Sequence, residues 1–135
     1  MKKSNSPSSL LRVIDANINR YKEGIRVVED IFRYIYNNKE ISIELKSLRH
    51  IVLPIDIKEL LNERDSINDI LKESTKTEQY RANLENIIIA NLKRAEESSR
   101  VLEEIFKLID IKISEKFKLN RYKLYNIEKI IFETI

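Results

Sequence analysis

Five polar residues occur at the same spacing in two separate stretches of the chain. Residues 16–35 and 90–109 align with an offset of 74, and ten of the twenty aligned pairs are identical. Half of these identities are polar or charged: Asn17/Asn91, Arg20/Arg94, Glu23/Glu97, Arg26/Arg100 and Glu29/Glu103. A buried core requires matching apolar residues, whereas a solvated surface accepts almost any polar residue. The repeated polar residues are therefore the first candidates for a binding site.

The repeated arginines could form an anion-binding site that the two stretches share. A planar guanidinium binds phosphate through parallel N–H donors, and glutamate or asparagine groups could orient the rest of the ligand or hold Mg²⁺. Four arginines are concerned: Arg20, Arg26, Arg94 and Arg100. The alternative interpretation is structural, because the spacings Arg20–Glu23, Glu23–Arg26 and Glu29–Arg33 give ion pairs on the surface of one helix. Both interpretations stay open at the level of the sequence.

Further polar residues lie outside the aligned stretches. Arg49-His50 closes a segment with helical apolar spacing, where a lone histidine is typical of a helix end or a packing residue. Arg64-Asp65-Ser66 lies in the long connection between the stretches, which is either a solvated loop or a functional segment. The Glu-x-x-His spacing of di-iron bundles is absent, so that site is rejected and no metal ligand or catalytic residue is assigned. The predicted substrate-binding residues are Asn17, Arg20, Glu23, Arg26, Glu29, Arg49, His50, Arg64, Asp65, Asn91, Arg94, Glu97, Arg100 and Glu103.

The composition excludes several kinds of site. The chain has 135 residues, the size of one domain, with one Gly, two Pro, one His and no Cys. A single glycine excludes a Gly-rich phosphate loop, and the lack of cysteine excludes disulfides, zinc knuckles and a thiol nucleophile. The net charge of +3 permits anionic ligands. Acidic residues alternate with basic ones along both aligned stretches, which disfavours nucleic-acid binding.

Apolar residues recur every three or four positions, which predicts an all-α fold. The predicted helices span about 8–36, 40–52, 78–110 and 114–133, and their apolar stripes include Ile35, Val52 and Ile109. Residues 1–9 are predicted to be a disordered lead-in to one domain, 10–135, composed of repeat A (10–52), a connection (53–77) and repeat B (78–135). The N-terminus has no apolar signal segment and no stretch is long enough to span a membrane, so a cytoplasmic protein is expected.

The shorter segments that follow the two aligned stretches also match, with Arg49 aligned to Arg121. The chain is therefore predicted to be a duplicated helical hairpin. Two such hairpins form a four-helix bundle, in which a pseudo-twofold axis would relate residues 10–52 to residues 84–125.

The order of these residues resembles that of a helical domain of bacterial thiamine biosynthesis, commonly fused in front of a thiamine-phosphate synthase barrel. The resemblance begins with Ile14-Asp15-Ala16-Asn17-x-x-Arg20-x-x-Glu23-Gly24-x-Arg26-Val27-Val28-Glu29-Asp30. It continues through Leu45-Lys46-x-Leu48-Arg49-His50, Arg64-Asp65, Ala90-Asn91-x-Lys93-Arg94-x-x-Glu97-x-x-Arg100 and Arg121-Tyr122. It covers roughly residues 10–130, nearly the whole chain.

The resemblance implies a function, because this family has been proposed as an alternative hydroxymethylpyrimidine-phosphate kinase. It implies a phosphorylated aminopyrimidine as substrate, ATP with Mg²⁺ as phosphoryl donor, and thiamine-phosphate synthase as a partner. The alternative is a non-catalytic helical module that binds the intermediate or pairs with the synthase. No synthase barrel is present in this sequence, so a free-standing domain is expected, and a homodimer stays open.

Overall fold

The computed structural model describes residues 7–135, and every regular element within them is a helix. The helices are α1 (Pro7–Asp30), α2 (Lys39–Arg49), α3 (Ile57–Glu63), α4 (Lys76–Gln79), α5 (Leu84–Phe106) and α6 (Ile111–Thr134). Helix α1 passes directly into a π-helical turn, Ile31–Ile35. The predicted all-α class is confirmed. Within the described range, no helix combines the length and apolar character that a membrane span needs.

Polar side chains fix several helix ends. Asn37 has a positive φ of 52°, and the side chain of Asn38 accepts a hydrogen bond from the backbone N–H of Ile41 at 3.0 Å. These two residues end the first long helix and cap α2, as their turn chemistry predicts. In the same way, Asn83 caps α5 and Asp110 caps α6.

Several predicted helix boundaries are wrong. Helix α2 ends at Arg49 rather than near residue 52, because Ile51 donates its backbone N–H to the Arg49 carbonyl and leaves the helical path. Val52 is consequently 81% exposed instead of lying in the core. The third long helix begins at Leu84 rather than at residue 78, because the short helix α4 and an extended segment precede its cap.

The far ends of the predicted apolar stripes also leave the core. Ile35 and Ile109 are both exposed. The wider π-helical turn rotates Ile35 away from the face that Phe32 occupies, and Ile109 lies beyond the end of α5. Of the predicted lead-in 1–9, residues 7–9 already belong to α1, and residues 1–6 lie outside the described part of the chain.

Helices α1 and α5 pack against each other and form the centre of the molecule. Helices α2 and α3 pack on α1, and α6 packs on α5. The buried hydroxyl of Tyr21 donates to the Leu48 carbonyl at 2.7 Å and accepts from the amide of Asn120 at 3.1 Å. Since these three residues belong to α1, α2 and α6, one hydrogen-bond network joins three helices across the core.

Replacing Gly24 with alanine is expected to destabilise the protein by about 1–3 kcal/mol. A Cβ at this position would lie 2.7 Å from the backbone oxygen of Asn91, where α1 meets α5, so the two helices would have to separate. Denaturant unfolding measures the loss. The matched control is Ser98→Ala, because Ser98 is the aligned residue of α5 and already has a Cβ. A Gly24→Ala protein at least as stable as wild type, as intrinsic helix propensity alone would give, contradicts this prediction.

Candidate functional site

A cleft of about 540 Å³ lies between the first half of α1 and the segment that follows α3. We call it the α1–α3 cleft. Its lining residues are Ser9, Arg12, Val13, Asp15, Ala16, Asn17, Asn19, Arg20, Arg64, Asp65, Ser66 and Asp69. Four of the residues predicted from the sequence are among them, namely Asn17, Arg20, Arg64 and Asp65. The cleft therefore joins part of the repeated polar set to the connection.

A bidentate ion pair fixes the segment that follows α3 to α1. Arg64 donates from Nε to Asp15 Oδ2 at 2.8 Å and from Nη2 to Asp15 Oδ1 at 2.7 Å. Asp15 is buried, and its hydrogen bonds raise the pKa of the Arg64 guanidinium. Helix α3 ends at Glu63, and Arg64 is its C-terminal cap residue. Arg64 thus ends α3 and also connects the two walls of the cleft through Asp15.

The remainder of the connection forms an ordered rim of the cleft. Arg12 Nη2 donates to the Asp65 carbonyl at 3.2 Å. The Asp65 carboxylate accepts from the backbone N–H and the side-chain amide of Asn68 at 3.0 and 2.8 Å, which lowers the pKa of Asp65. Ser8 donates to Glu63 at 2.9 Å and adds a second contact between the two walls. Side-chain hydrogen bonds thus hold this loop in place. From the sequence, it could have been either a solvated loop or a functional segment.

Arg20 lies on the wall of the cleft and is engaged by none of the described residues. Its side chain is exposed and forms no hydrogen bond or ion pair with any residue between 7 and 135. Asn17 beside it donates its amide to the Val13 carbonyl at 2.9 Å, so its position is fixed. A free guanidinium on the wall of a polar cleft is available to an anionic group such as a phosphate.

The buried glutamates of the repeat belong to ion pairs within each half. Glu29 accepts from Arg49 at 2.6 and 3.2 Å, and Glu103 accepts from Arg121 at 2.8 Å. These pairs occupy aligned positions in the two halves. Glu29 therefore does not pair with Arg33, and that part of the surface ion-pair interpretation is wrong.

The other repeated residues also find partners close by in the chain, or none. Arg26 pairs with Asp30 at 3.2 Å rather than with Glu23, and Arg100 pairs with Glu103 and Glu104 at 3.0 and 3.1 Å. The side-chain amides of Asn17 and Asn91 each donate to the backbone carbonyl four residues earlier. The remaining predicted residues of this group are exposed, namely Glu23, Arg94, Glu97 and His50. Within the part of the chain that the structure describes, no hydrogen bond or ion pair joins the repeated polar residues of one half to those of the other. The two sets approach where Gly24 meets Asn91.

Two features escape a search for repeated residues. Asp15 aligns with Ile89, and Glu96 aligns with Lys22, so neither pair is an identity. Yet Asp15 holds Arg64, and Glu96 is a buried carboxyl group between Lys93 and Glu128. The sequence marks Asp15 through its place in the family motif that begins at Ile14, and both acids lie next to apolar residues of their helices.

The Glu96 cluster makes stability depend on pH. Burial and the nearby Glu128 carboxylate raise the pKa of Glu96 from 4.5 to about 7, and Lys93 opposes this rise. The native state then keeps a proton that the unfolded chain releases, so the free energy of unfolding falls as the pH rises from 4.5 to about 7. Glu96→Gln keeps the shape without the titration and is expected to flatten this dependence in urea unfolding series. An unchanged slope in the variant assigns the dependence to other groups.

Comparison with known proteins identifies a family that this chain matches. A model described as the ThiD2 family matches residues 12–130. The chain is similar to a thiamine-phosphate synthase of Synechocystis sp., at 38% identity over 91% of this chain and 36% of the relative. It is also similar to thiamine-phosphate synthases of Nostoc punctiforme (37% identity, 87% of this chain, 34% of the relative) and Rhodopirellula baltica (33%, 87% and 32%). The chain thus spans about a third of the length of the curated relatives it matches. No solved structure matches it significantly.

Proposed function

Because this chain belongs to the ThiD2 family, we propose that it acts in thiamine biosynthesis by binding a phosphorylated aminopyrimidine in the α1–α3 cleft. The free guanidinium of Arg20 on the wall of that cleft is the observation that carries the proposal. The similarity to thiamine-phosphate synthases supports the pathway. The residue types that line the cleft support the ligand class.

The ligand phosphate is anchored by arginines rather than by backbone amides. The one glycine of the chain is buried against α5, so no glycine loop is present to cradle a phosphate. Among the described residues, Arg20 has its full set of donors free, and Arg12 has a single hydrogen bond, to the Asp65 carbonyl. Forked, charge-assisted hydrogen bonds from such groups contribute about 1.5–3 kcal/mol each. The asparagines and the carboxylates around them suit the N–H and ring-nitrogen groups of an aminopyrimidine.

We further propose that the bound monophosphate is phosphorylated. A phosphate oxygen of the pyrimidine monophosphate attacks the γ-phosphorus of ATP and forms a P–O bond. The bond from that phosphorus to the β,γ-bridging oxygen breaks, and ADP leaves with the electron pair. The products are a pyrimidine diphosphate and ADP. Positioning and charge stabilisation are most of what such a site must supply, and arginines can supply both.

The carboxylates of the cleft are compatible with Mg²⁺ that arrives with ATP. Within residues 7–135, no group of three Asp, Glu or His side chains could hold a metal ion. In phosphoryl-transfer sites Mg²⁺ commonly takes one or two carboxylates while substrate phosphates and water complete its shell. Asp65 and Asp69 are the carboxylates at the rim that could serve. When bound, the ion would neutralise charge on the phosphates.

A non-catalytic module that pairs with thiamine-phosphate synthase is the second candidate function. The relatives are about three times as long as this chain, so the same unit accompanies further protein in them. Ile67, Ile70 and Leu71 are 77%, 92% and 81% exposed on the segment that borders the cleft. Exposed apolar side chains close together in sequence suit a protein partner, either the synthase or a second copy of this chain.

The aligned ion pairs also support the duplication inferred from the sequence. Glu29–Arg49 joins α1 to α2, and Glu103–Arg121 joins α5 to α6. We propose that the two hairpins form a four-helix bundle about a pseudo-twofold axis. Superposition of α1 and α2 on α5 and α6 tests this, and two hairpins with different crossing angles would refute it.

An activity assay separates the two candidate functions. Purified protein is mixed with the pyrimidine monophosphate, ATP and Mg²⁺, and diphosphate and ADP are quantified by chromatography. Equal amounts of the two products, formed in proportion to protein, are expected for the kinase. Calorimetric binding of the monophosphate without turnover favours the non-catalytic module. If neither turnover nor binding occurs, the proposed ligand is wrong.

A further inference from the structure

Asp15 is a buried residue of the α1–α3 cleft wall, and Arg64 engages both of its carboxylate oxygens. Its Oδ2 accepts from Arg64 Nε, and its Oδ1 accepts from Arg64 Nη2 and, at 3.4 Å, from the amide of Asn19. Only 5% of the residue is exposed. A side chain in this state can influence a bound molecule only through the groups that it holds.

Arg64, in contrast, lines the cleft and retains donors that Asp15 does not engage. Asp15 engages its Nε and one N–H of Nη2, which leaves Nη1 and the second N–H of Nη2. The Arg64 side chain is 42% exposed and lines the cleft with Arg20. Because both contacts to Asp15 lie along one edge of the guanidinium, its plane and its opposite edge have a fixed direction.

An arginine that is already held in place before the ligand arrives lowers the entropic cost of binding. A free arginine side chain has considerable rotamer entropy, part of which is lost when it binds a phosphate. Arg20 has no partner within residues 7–135 and must lose this freedom on binding, whereas Arg64 has already lost it to Asp15. The cleft thus combines one preorganised and one adaptable guanidinium.

We propose that Asp15 is a positioning residue, which raises phosphate affinity by holding the Arg64 guanidinium in its binding orientation. This inference rests on the proposed function of the cleft. It assigns a role to a residue outside the repeated set, since Asp15 aligns with Ile89. It also distinguishes Arg64 from Arg49, whose carboxylate partner Glu29 belongs to the repeat and lies outside the cleft.

A double-mutant cycle tests the proposal. Calorimetric titration with the pyrimidine monophosphate is carried out on wild type, Asp15→Asn, Arg64→Ala and the double variant. Asp15→Asn keeps the shape of the side chain but loses its charge. We expect about tenfold weaker binding in Asp15→Asn, about tenfold to hundredfold in Arg64→Ala, and no further loss in the double variant. Unfolding curves of all four proteins are the control, because they show whether a loss of affinity comes from a loss of stability.

The outcomes separate this inference from the proposed function. Wild-type affinity in a folded Asp15→Asn protein, or losses that add in the double variant, overturn the positioning role while leaving the ligand assignment intact. Inorganic pyrophosphate is the second probe. If pyrophosphate gives the expected cycle but the pyrimidine monophosphate does not bind, the positioning role holds and the proposed ligand is wrong. If neither binds, both are overturned.

Discussion

Replacing Arg49 with methionine is expected to lower the free energy of unfolding by about 3–5 kcal/mol. Arg49 is the ion-pair partner of Glu29, which is 2% exposed and accepts both of its side-chain hydrogen bonds from this guanidinium. Without Arg49 the buried carboxylate has no cationic partner among the described residues. Domains of this size are commonly stable by only 5–15 kcal/mol, roughly, so the loss is a large fraction of the total.

The aligned substitution in the second half provides the matched comparison. Arg121→Met is expected to cost less than Arg49→Met, because Arg100 still donates to Glu103 at 3.0 Å. The double variant Glu29→Gln/Arg49→Met removes both charges and is expected to recover most of the loss. Denaturant unfolding of the three variants measures these differences. Equal, small losses in both halves would show that the glutamates are not dependent on these arginines.

Replacing Arg20 with alanine is expected to weaken binding of the pyrimidine monophosphate about tenfold to hundredfold. The guanidinium of Arg20 has no partner among residues 7–135, so all of its donors are available to a phosphate, and alanine removes them. Arg20→Lys keeps the charge but loses the planar fork, so a smaller loss is expected. Calorimetric titration measures both.

Arg33→Ala is the control for the loss of charge. Arg33 is exposed, stacks on Tyr34 and lies outside the α1–α3 cleft. The Arg33→Ala substitution therefore removes the same charge without removing a donor from the cleft, and near wild-type affinity is expected. Equal losses in Arg20→Ala and Arg33→Ala would point to a general electrostatic effect. Arg26 and Arg100, which the sequence also nominates, already have carboxylate partners, so smaller losses are expected on their replacement.

The helices were predictable where apolar residues recur at helical spacing and form one buried face. Residues such as Ile14, Leu92 and Phe117 recur with helical spacing and are fully buried. Helix ends were less predictable, because they depend on a few backbone hydrogen bonds. Pro54 permits a helix up to the residues just before it, but the backbone bond from Ile51 to Arg49 ends α2 earlier. Similarly, nothing in the residue pattern requires the π-helical turn that exposes Ile35.

The site was predictable only in part, since identity between repeats identifies residues and not their partners. Repetition marked Arg20 and Asn17, and both line the cleft. It also marked Glu29 and Glu103, which the sequence could equally assign to ligand binding or to ion pairs. Burial decides between these, because a buried carboxylate requires a close cation and Arg49 is nearer than Arg33. Asp15 could not be found by repetition, because the structure needs it in one half only.

Nuclear magnetic resonance can locate the bound pyrimidine monophosphate on the protein. Uniformly ¹⁵N-labelled protein is titrated with the pyrimidine monophosphate, and the shift of each assigned backbone amide signal is followed to saturation. We expect the largest shifts in residues 12–20 and 64–69, on the two walls of the α1–α3 cleft. The largest shifts in residues 93–100 of α5, with the cleft amides unchanged, would contradict this expectation.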